Sequence, residues 1–215
     1  MNPIDRLTEL FERFPGIGPR QARRFVHYLL SERPALRAEL ADAIRTLGAH
    51  TAQCVKCYRW FVKGADVAGL CTICAARPRD RSVLFVVEKD ADIDNVERSG
   101  FKGLYFVLGG TIPLASEEPE KYIRLRELLS RIEADAAGTG NGGPSSVSVA
   151  LKEVILGLSA TTEGDHTRLL LQEKILPLAA LLNFKITSLG RGLSTGSELE
   201  YADPDTIASA LSSRQ

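Results

Sequence analysis

Ser82-Val83-Leu84-Phe85-Val86-Val87, running straight into Glu88-Lys89-Asp90-Ala91-Asp92, is the stretch on which the fold turns. After Ser82 the run is wholly apolar and rich in β-branched and aromatic residues, as a strand buried on both faces of a parallel sheet should be. Leu104 to Leu108 repeats that character, and Val154 to Leu158 and Phe184 to Leu189 read as further strands. Between the strands the spacing turns helical. Leu125, Leu128, Leu129 and Ile132 share one face of a helix from Glu120 to about Glu133. A second helix is expected from about Asp165 to Leu182, bent or interrupted at Pro177. Strands alternating with helices predict an α/β domain with a mainly parallel sheet. Its functional residues belong at the carboxyl ends of the strands.

Upstream the pattern is different. Ile4, Leu7, Leu10, Phe11 and Phe14 fall at helical spacing in a first helix that ends at Pro15. Ala22, Phe25, Val26 and Leu29 mark a second helix, and Leu36, Leu40, Ile44 and Leu47 a third, opening near Pro34 and closing at Gly48. The front is thus a small helical unit. Four parts are expected: residues 1–53 helical, 54–78 cysteine-bearing, 80–187 α/β, and 188–215 a short tail with a helix from Asp203-Pro204 to Leu211. Gly138 to Ser148 reads as a mobile Gly- and Ser-rich loop.

All four cysteines sit in the second part, as Cys54-x-x-Cys57 and Cys71-x-x-Cys74 with thirteen residues between the pairs. Tetrahedral zinc takes four thiolates, and each C-x-x-C turn presents two of them to one ion. With four protein ligands the ion has no open position and cannot activate water. The metal expected is therefore structural.

Between the first two helices lies Phe14-Pro15-Gly16-Ile17-Gly18-Pro19-Arg20-Gln21-Ala22-Arg23-Arg24. Gly16 and Gly18 around one apolar residue permit a tight turn with outward backbone N–H groups. The positive end of the next helix dipole adds to the same spot. Arg20 and Arg24, one helical turn apart, would flank a bound phosphate. The string resembles the helix-hairpin-helix motif of proteins that bind DNA without reading its sequence.

The first strand ends at Glu88, with Asp92 just beyond, and the third runs into Thr162-Glu163-Gly164-Asp165. Adjacent parallel strands would bring Glu88 near Glu163 and Asp165, where carboxylates can hold Mg²⁺. Solvated loop acids have the same spacing, so both readings stay open. The arrangement resembles the Toprim domain of topoisomerases and primases. Asp90-x-Asp92-x-Asp94 is not a calcium loop, because Asn95 stands where glycine is needed and Phe101 where the bidentate glutamate belongs. Gly138-x-Gly140-x-x-Gly143 follows a helix rather than a strand, so it is not a dinucleotide fingerprint.

The chain has 215 residues with an apolar fraction of 44% and a charged fraction of 25%. No stretch approaches the roughly 18 apolar residues of a membrane helix, and Met1-Asn2-Pro3-Ile4-Asp5-Arg6 has no secretory pattern, so a cytoplasmic protein is expected. The net charge of zero hides a basic front: residues 1–81 carry 14 Arg and Lys against 8 Asp and Glu. Such a front favours a phosphate-bearing partner.

The order of hairpin, four-cysteine module and Toprim-like domain resembles the RecR family over nearly the whole length. Phe-Pro-Gly-Ile-Gly-Pro-Arg at 14–20, the cysteine pairs, Gly103-Leu-Tyr-Phe-Val-Leu-Gly-Gly110 and Thr162-Glu163-Gly164 carry the resemblance. So do Gly190-Arg191-Gly192-Leu193 and Leu199-Glu200-Tyr201-Ala202-Asp203. Three features depart from the family: Leu193-Ser194-Thr195-Gly196 in place of Leu-Pro-x-Gly, the 138–148 loop, and a longer Asp66–Gly69 stretch between the cysteine pairs.

The resemblance implies bacterial DNA repair and recombination, with a homo-oligomeric, tetrameric ring that grips DNA at the nucleoid. It implies work with RecO and RecF partners to load RecA at single-stranded gaps, with no covalent chemistry. It implies that Arg20 and Arg24 serve DNA, and that Glu88, Asp92, Glu163 and Asp165 serve partner binding. Mg²⁺ there is not required. The alternatives are a Mg²⁺-dependent nuclease or primase of the Toprim class, and a zinc-ribbon adaptor that binds only protein.

Overall fold

Leu84 and Val86 point to one side of their strand and Phe85 and Val87 to the other, and all four are buried. That is the period-2 geometry of a strand covered on both faces. A computed structural model of the protein describes residues 2–64, 69–116, 118–138, 149–190, 192–193, 196 and 198–212. The chain divides into two units, Met1–Ala52 and Gln53–Gln215.

The first unit is helical: α1 (Pro3–Glu12), α2 (Pro19–Ser31) and α3 (Pro34–His50). Each opens with proline in its first turn, where the missing N–H costs nothing and the fixed φ suits the helix. The Asn2 side chain also caps α1 through the Asp5 N–H. The Phe11 ring meets Phe25 edge-on at 5.8 Å and locks α1 to α2. Two boundaries differ from expectation. α1 ends at Glu12 rather than Pro15, with the Phe14 N–H turning back to the Phe11 carbonyl. α3 runs through Gly48, which keeps a negative φ and so does not end the helix.

At the boundary stands a two-stranded ribbon, β1 (Thr51–Gln53) and β2 (Trp60–Val62), and the short α4 (Thr72–Ala75) follows it. Then come β3 (Asp80–Val87), α5 (Asp90–Arg98), β4 (Gly103–Val107), α6 (Leu125–Ala136), β5 (Glu153–Gly157), α7 (Thr162–Leu182), β6 (Lys185–Ser188) and α8 (Pro204–Ser212). β3 to β6 form one sheet in the order β4-β3-β5-β6, parallel throughout. β4 lies on one side of β3 and β6 on the far side of β5, so the strand order reverses between β3 and β5.

The two faces of the sheet carry two cores. On one, Leu84, Val86, Leu104, Phe106, Val154 and Leu156 cluster with Leu128 and Ile132 of α6 and Leu171 and Ile175 of α7. On the other, Phe85, Val87, Tyr105 and Val107 cluster with Ile93 of α5 and with all four cysteines. The cysteine module is therefore part of the domain core.

Three helices depart from the sequence reading. α6 starts at Leu125, because Pro119–Lys121 forms a separate 3₁₀ turn, and it continues to Ala136. α7 starts at Thr162 and passes Pro177 as one helix, ending where Asn183 turns left-handed. α5 is a helix beyond those the spacing predicts, formed where the spaced acids resemble an ion loop. Of the 138–148 loop only Gly138 is described, and Arg191, Ser194 and Thr195 of the tail motifs also lie outside the described residues.

Candidate metal centre and candidate nucleic-acid interface

The cysteine ligands are set by two turns. Cys54 sits where its N–H donates to the Arg59 carbonyl and its carbonyl accepts from the Tyr58 N–H, with Tyr58 in the left-handed region at φ 61. Cys71 opens α4, and its sulfur accepts from the Cys74 N–H at 3.5 Å. Its own N–H points at Cys54 Sγ, 3.4 Å away. N–H···S contacts of this kind stabilise thiolates.

All four sulfurs lie within 4.8 Å of one another, and each residue is buried. The Cys57 and Cys71 sulfurs are 3.6 Å apart. A disulfide would need about 2.05 Å. Four thiolates each about 2.3 Å from a tetrahedral ion stand about 3.8 Å from one another. The sulfurs are thus spaced as ligands and do not form disulfides. Crowding also disturbs their acidity. Contact with Cys57 leads the effects that hold the Cys54 thiol down, and contact with Cys54 leads those that push Cys57 up. Cys71, raised by Cys54 and lowered by Cys57 and Cys74, comes to about 7. Four buried thiols packed this closely suit a cation that replaces their protons.

The first cysteine turn is tied both to the sheet and to α6. The Val107 N–H of edge strand β4 donates to the Cys57 carbonyl at 2.8 Å. Arg131 of α6, buried and paired with Asp135, donates from Nη1 to the Lys56 carbonyl at 2.9 Å. This anchor spans 75 residues of sequence, and neither periodicity nor spacing signals it.

In the hairpin, Gly16 takes φ +76, open to glycine and strained for other residues. The Ile17 N–H closes the turn onto the Phe14 carbonyl at 3.1 Å. Gly18 then caps α2 without offering a side-chain acceptor. The first-turn N–H groups therefore keep the donor capacity that a phosphate oxygen would use. Arg20 and Arg24 are both exposed, and Arg24 Nη1 reaches Gln21 Oε1 at 3.4 Å. Arg23 points elsewhere, to Asp5.

At the carboxyl ends of β3 and β5, where the strand order reverses, the acids have separate partners. Glu88 is 8% exposed, and its Oε1 accepts the Ser159 N–H at 2.6 Å. This bond latches the end of β3 to the turn after β5. The same turn is capped by Thr161, whose hydroxyl accepts the Gly164 N–H at 3.1 Å. A Cβ on Gly164 would stand 2.2 Å from the Ser159 carbonyl oxygen, so the glycine of Thr162-Glu163-Gly164 is required by close approach. Asp92 accepts the Lys89 N–H at 2.8 Å and caps α5. Glu163 is exposed, and Asp165 pairs with Arg168 at 3.4 Å. Among the described residues, the cysteines are the one group whose ligand atoms cluster tightly enough for a metal.

Comparison with known proteins gives three family matches. Residues 4–47 match the RecR helix-hairpin-helix, 82–187 the Toprim domain, and 192–215 the RecR C-terminal region. The recombination protein RecR of Herpetosiphon aurantiacus is 38% identical over 215 residues, covering 99% of this chain and 94% of the relative. The chain belongs to the RecR family. RecR of Chloroflexus aggregans is 36% identical over 214 residues, covering 99% and 93%, and RecR of Bifidobacterium longum subsp. infantis is 37% identical over 214 residues, covering 99% and 95%. The RecR relationship makes this a DNA-recombination protein with a hairpin, a Toprim domain and a four-cysteine cluster suited to zinc. Among the described residues no helix is long and apolar enough to cross a membrane.

Proposed function

We propose that the chain is a non-enzymatic DNA-binding scaffold of recombinational repair. The observation that carries this reading is the hairpin: a glycine turn, an α2 N-terminus with no side-chain cap, and exposed Arg20 and Arg24 one turn apart. Gly16, Gly18 and the two arginines grip phosphates and give affinity without base readout. Cys54, Cys57, Cys71 and Cys74 hold a structural zinc that stabilises the second core and takes no part in chemistry.

The four parts (residues 1–53, 54–78, 80–187 and 188–215) divide the labour as DNA grip, zinc module, partner platform and oligomer packing. The assembly is a tetrameric ring in the bacterial cytoplasm, associated with the nucleoid. It acts with RecO-like and RecF-like partners to load RecA at single-stranded gaps. Glu88, Asp92, Glu163 and Asp165 belong to the partner platform, and Mg²⁺ is not needed there.

The alternative, a Toprim-class nuclease or primase, is disfavoured by how the acids are occupied. Glu88 holds Ser159, Asp92 caps a helix, and Asp165 faces Arg168. Tyr105, a conceivable nucleophile, is buried with its hydroxyl donated to Glu97.

The test is Arg20→Ala with Arg24→Ala, assayed for duplex binding across a salt series. Affinity should fall alike for unrelated sequences, and the slope of log K against log salt should shrink by about two. Binding and slope unchanged from the parent would remove the hairpin from the interface.

A further inference from the structure

Four thiolates around one divalent ion leave about two negative charges in the core, since the cation offsets only half of theirs. Burying such an excess is costly unless countercharge stands close by. All four cysteines are buried, so that countercharge has to come from the protein itself.

Three cations converge on the two cysteine turns. Arg131 Nη1 donates at 2.9 Å to the carbonyl of Lys56, which lies between Cys54 and Cys57. Arg81 Nη2 reaches the Cys74 carbonyl at 3.5 Å and the Ala76 carbonyl at 3.2 Å, so the second turn has an arginine of its own. Lys56 itself interacts electrostatically with Cys74, Arg81 and Arg131. The buried acid that faces them is Asp135, which pairs with Arg131. Glu127 lines the cleft beside Lys56 and Arg131 but stands in water.

Arg131 divides its donors in an unusual way. A guanidinium that served only its carboxylate would grip both oxygens with two parallel bonds. Here Nε alone takes Asp135 Oδ2, and Nη1 is given to the cysteine turn. Nη2 and Asp135 Oδ1 have no hydrogen-bond partner among the described residues. The two side chains are only 7% and 1% exposed, so a bond is left unmade where its absence costs most. The turn, rather than the carboxylate, sets the position of the arginine.

We infer that Arg131 and Arg81 are positioning residues for the metal: each fixes one cysteine turn by its backbone carbonyls and lends positive charge to the buried thiolates, so that together they set how tightly the ion is held. The inference rests on the zinc reading proposed above and adds determinants of affinity that lie outside the four ligands. Asp135 has the opposite electrostatic effect, because its charge repels the thiolates while its bond steadies Arg131.

Full-length protein would be stripped of metal and refilled, and its zinc affinity measured by competition with a chromophoric chelator. Arg131→Met and Arg81→Met should each bind zinc about 10- to 100-fold more weakly than the parent, the usual cost of losing a partner of the ligands. Arg131→Lys, which keeps the charge and a donor, should recover part of that loss. Asp135→Asn should hold zinc at least as tightly as the parent, even where it lowers the melting temperature. Arginine variants that hold zinc as the parent does would overturn this inference alone. So would an Asp135→Asn protein that loses zinc as Arg131→Met does, because retention would then follow stability rather than charge. Should Asp135→Asn fail to fold, Arg131→Lys decides: an affinity no better than that of Arg131→Met would overturn the inference equally. A parent that binds no zinc would instead remove the metal reading beneath it.

Discussion

Glu97 shows how much a single carboxylate can organise. Arg79 grips both of its oxygens, Nη1 to Oε1 at 2.8 Å and Nη2 to Oε2 at 2.5 Å, and the Tyr105 hydroxyl donates to Oε1 at 2.6 Å. The bond to Arg79 leads the effects that hold the Glu97 carboxyl below the usual carboxylate range. Burial, then the bond to Glu97, pushes the Tyr105 phenol well up. A depressed folded-state value means that ionised Glu97 stabilises the fold above the unfolded carboxylate range, and that this contribution is lost as pH falls through the folded value. Glu97→Gln should therefore cost about 1 kcal/mol or more at pH 7. In urea titrations the gap between parent and variant should narrow as the pH falls toward about 3, below the unfolded glutamate value near 4.3. A gap that stays constant across that range would show that the charge on Glu97 is not what Arg79 and Tyr105 are holding. Any loss of a bound metal in acid would affect both proteins alike and drop out of the difference.

Among the elements, the cysteine module is where stability and architecture meet most directly. Its sulfurs join the core formed by Phe85, Val87, Tyr105 and Val107, and its backbone pairs with β4 through Cys57 and Val107. Cys54→Ser should lose the metal and loosen that whole face of the sheet. Even about 3 kcal/mol lost from a chain of this size lowers the melting temperature by roughly 6–12 °C. A Cys54→Ser protein that keeps one metal per chain and melts with the parent would refute a structural four-cysteine site.

The module was legible as a ligand set, since two C-x-x-C turns announce themselves by spacing. Its burial against the sheet was not, because the pairs that make it, Val107 with Cys57 and Arg131 with Lys56, are distant in sequence. The parallel strands were equally legible from the apolar run at 83–87 and its echoes. α5 was missed because its acids drew the reading toward ions, while Ile93 is its one buried residue. Glu88 was rightly placed at a strand end, but its bond to the Ser159 backbone depends on the sheet order, which no local pattern encodes.

For the whole molecule, the balance of charge and the family relationship point the same way. Residues 1–81 hold an excess of Arg and Lys within a chain of zero net charge, so the remainder is acidic to the same degree. A polyanion is drawn to the front and repelled by the rear, and the attraction weakens as salt screens it. Relatives about as long as this chain share its hairpin-to-tail order and carry the name recombination protein RecR. At the strand order reversal Glu88 holds the Ser159 turn and Asp92 caps α5, while Glu163 stays exposed.

The most direct measurement is a gapped-duplex assay on zinc-loaded protein, with and without Mg²⁺, at low and moderate salt. Mobility would report binding and a denaturing gel would report strand integrity. The scaffold account predicts salt-sensitive binding that does not depend on Mg²⁺ and leaves every strand intact. Mg²⁺-dependent cleavage that disappears in Glu88→Gln would contradict it and make the Toprim domain an active site.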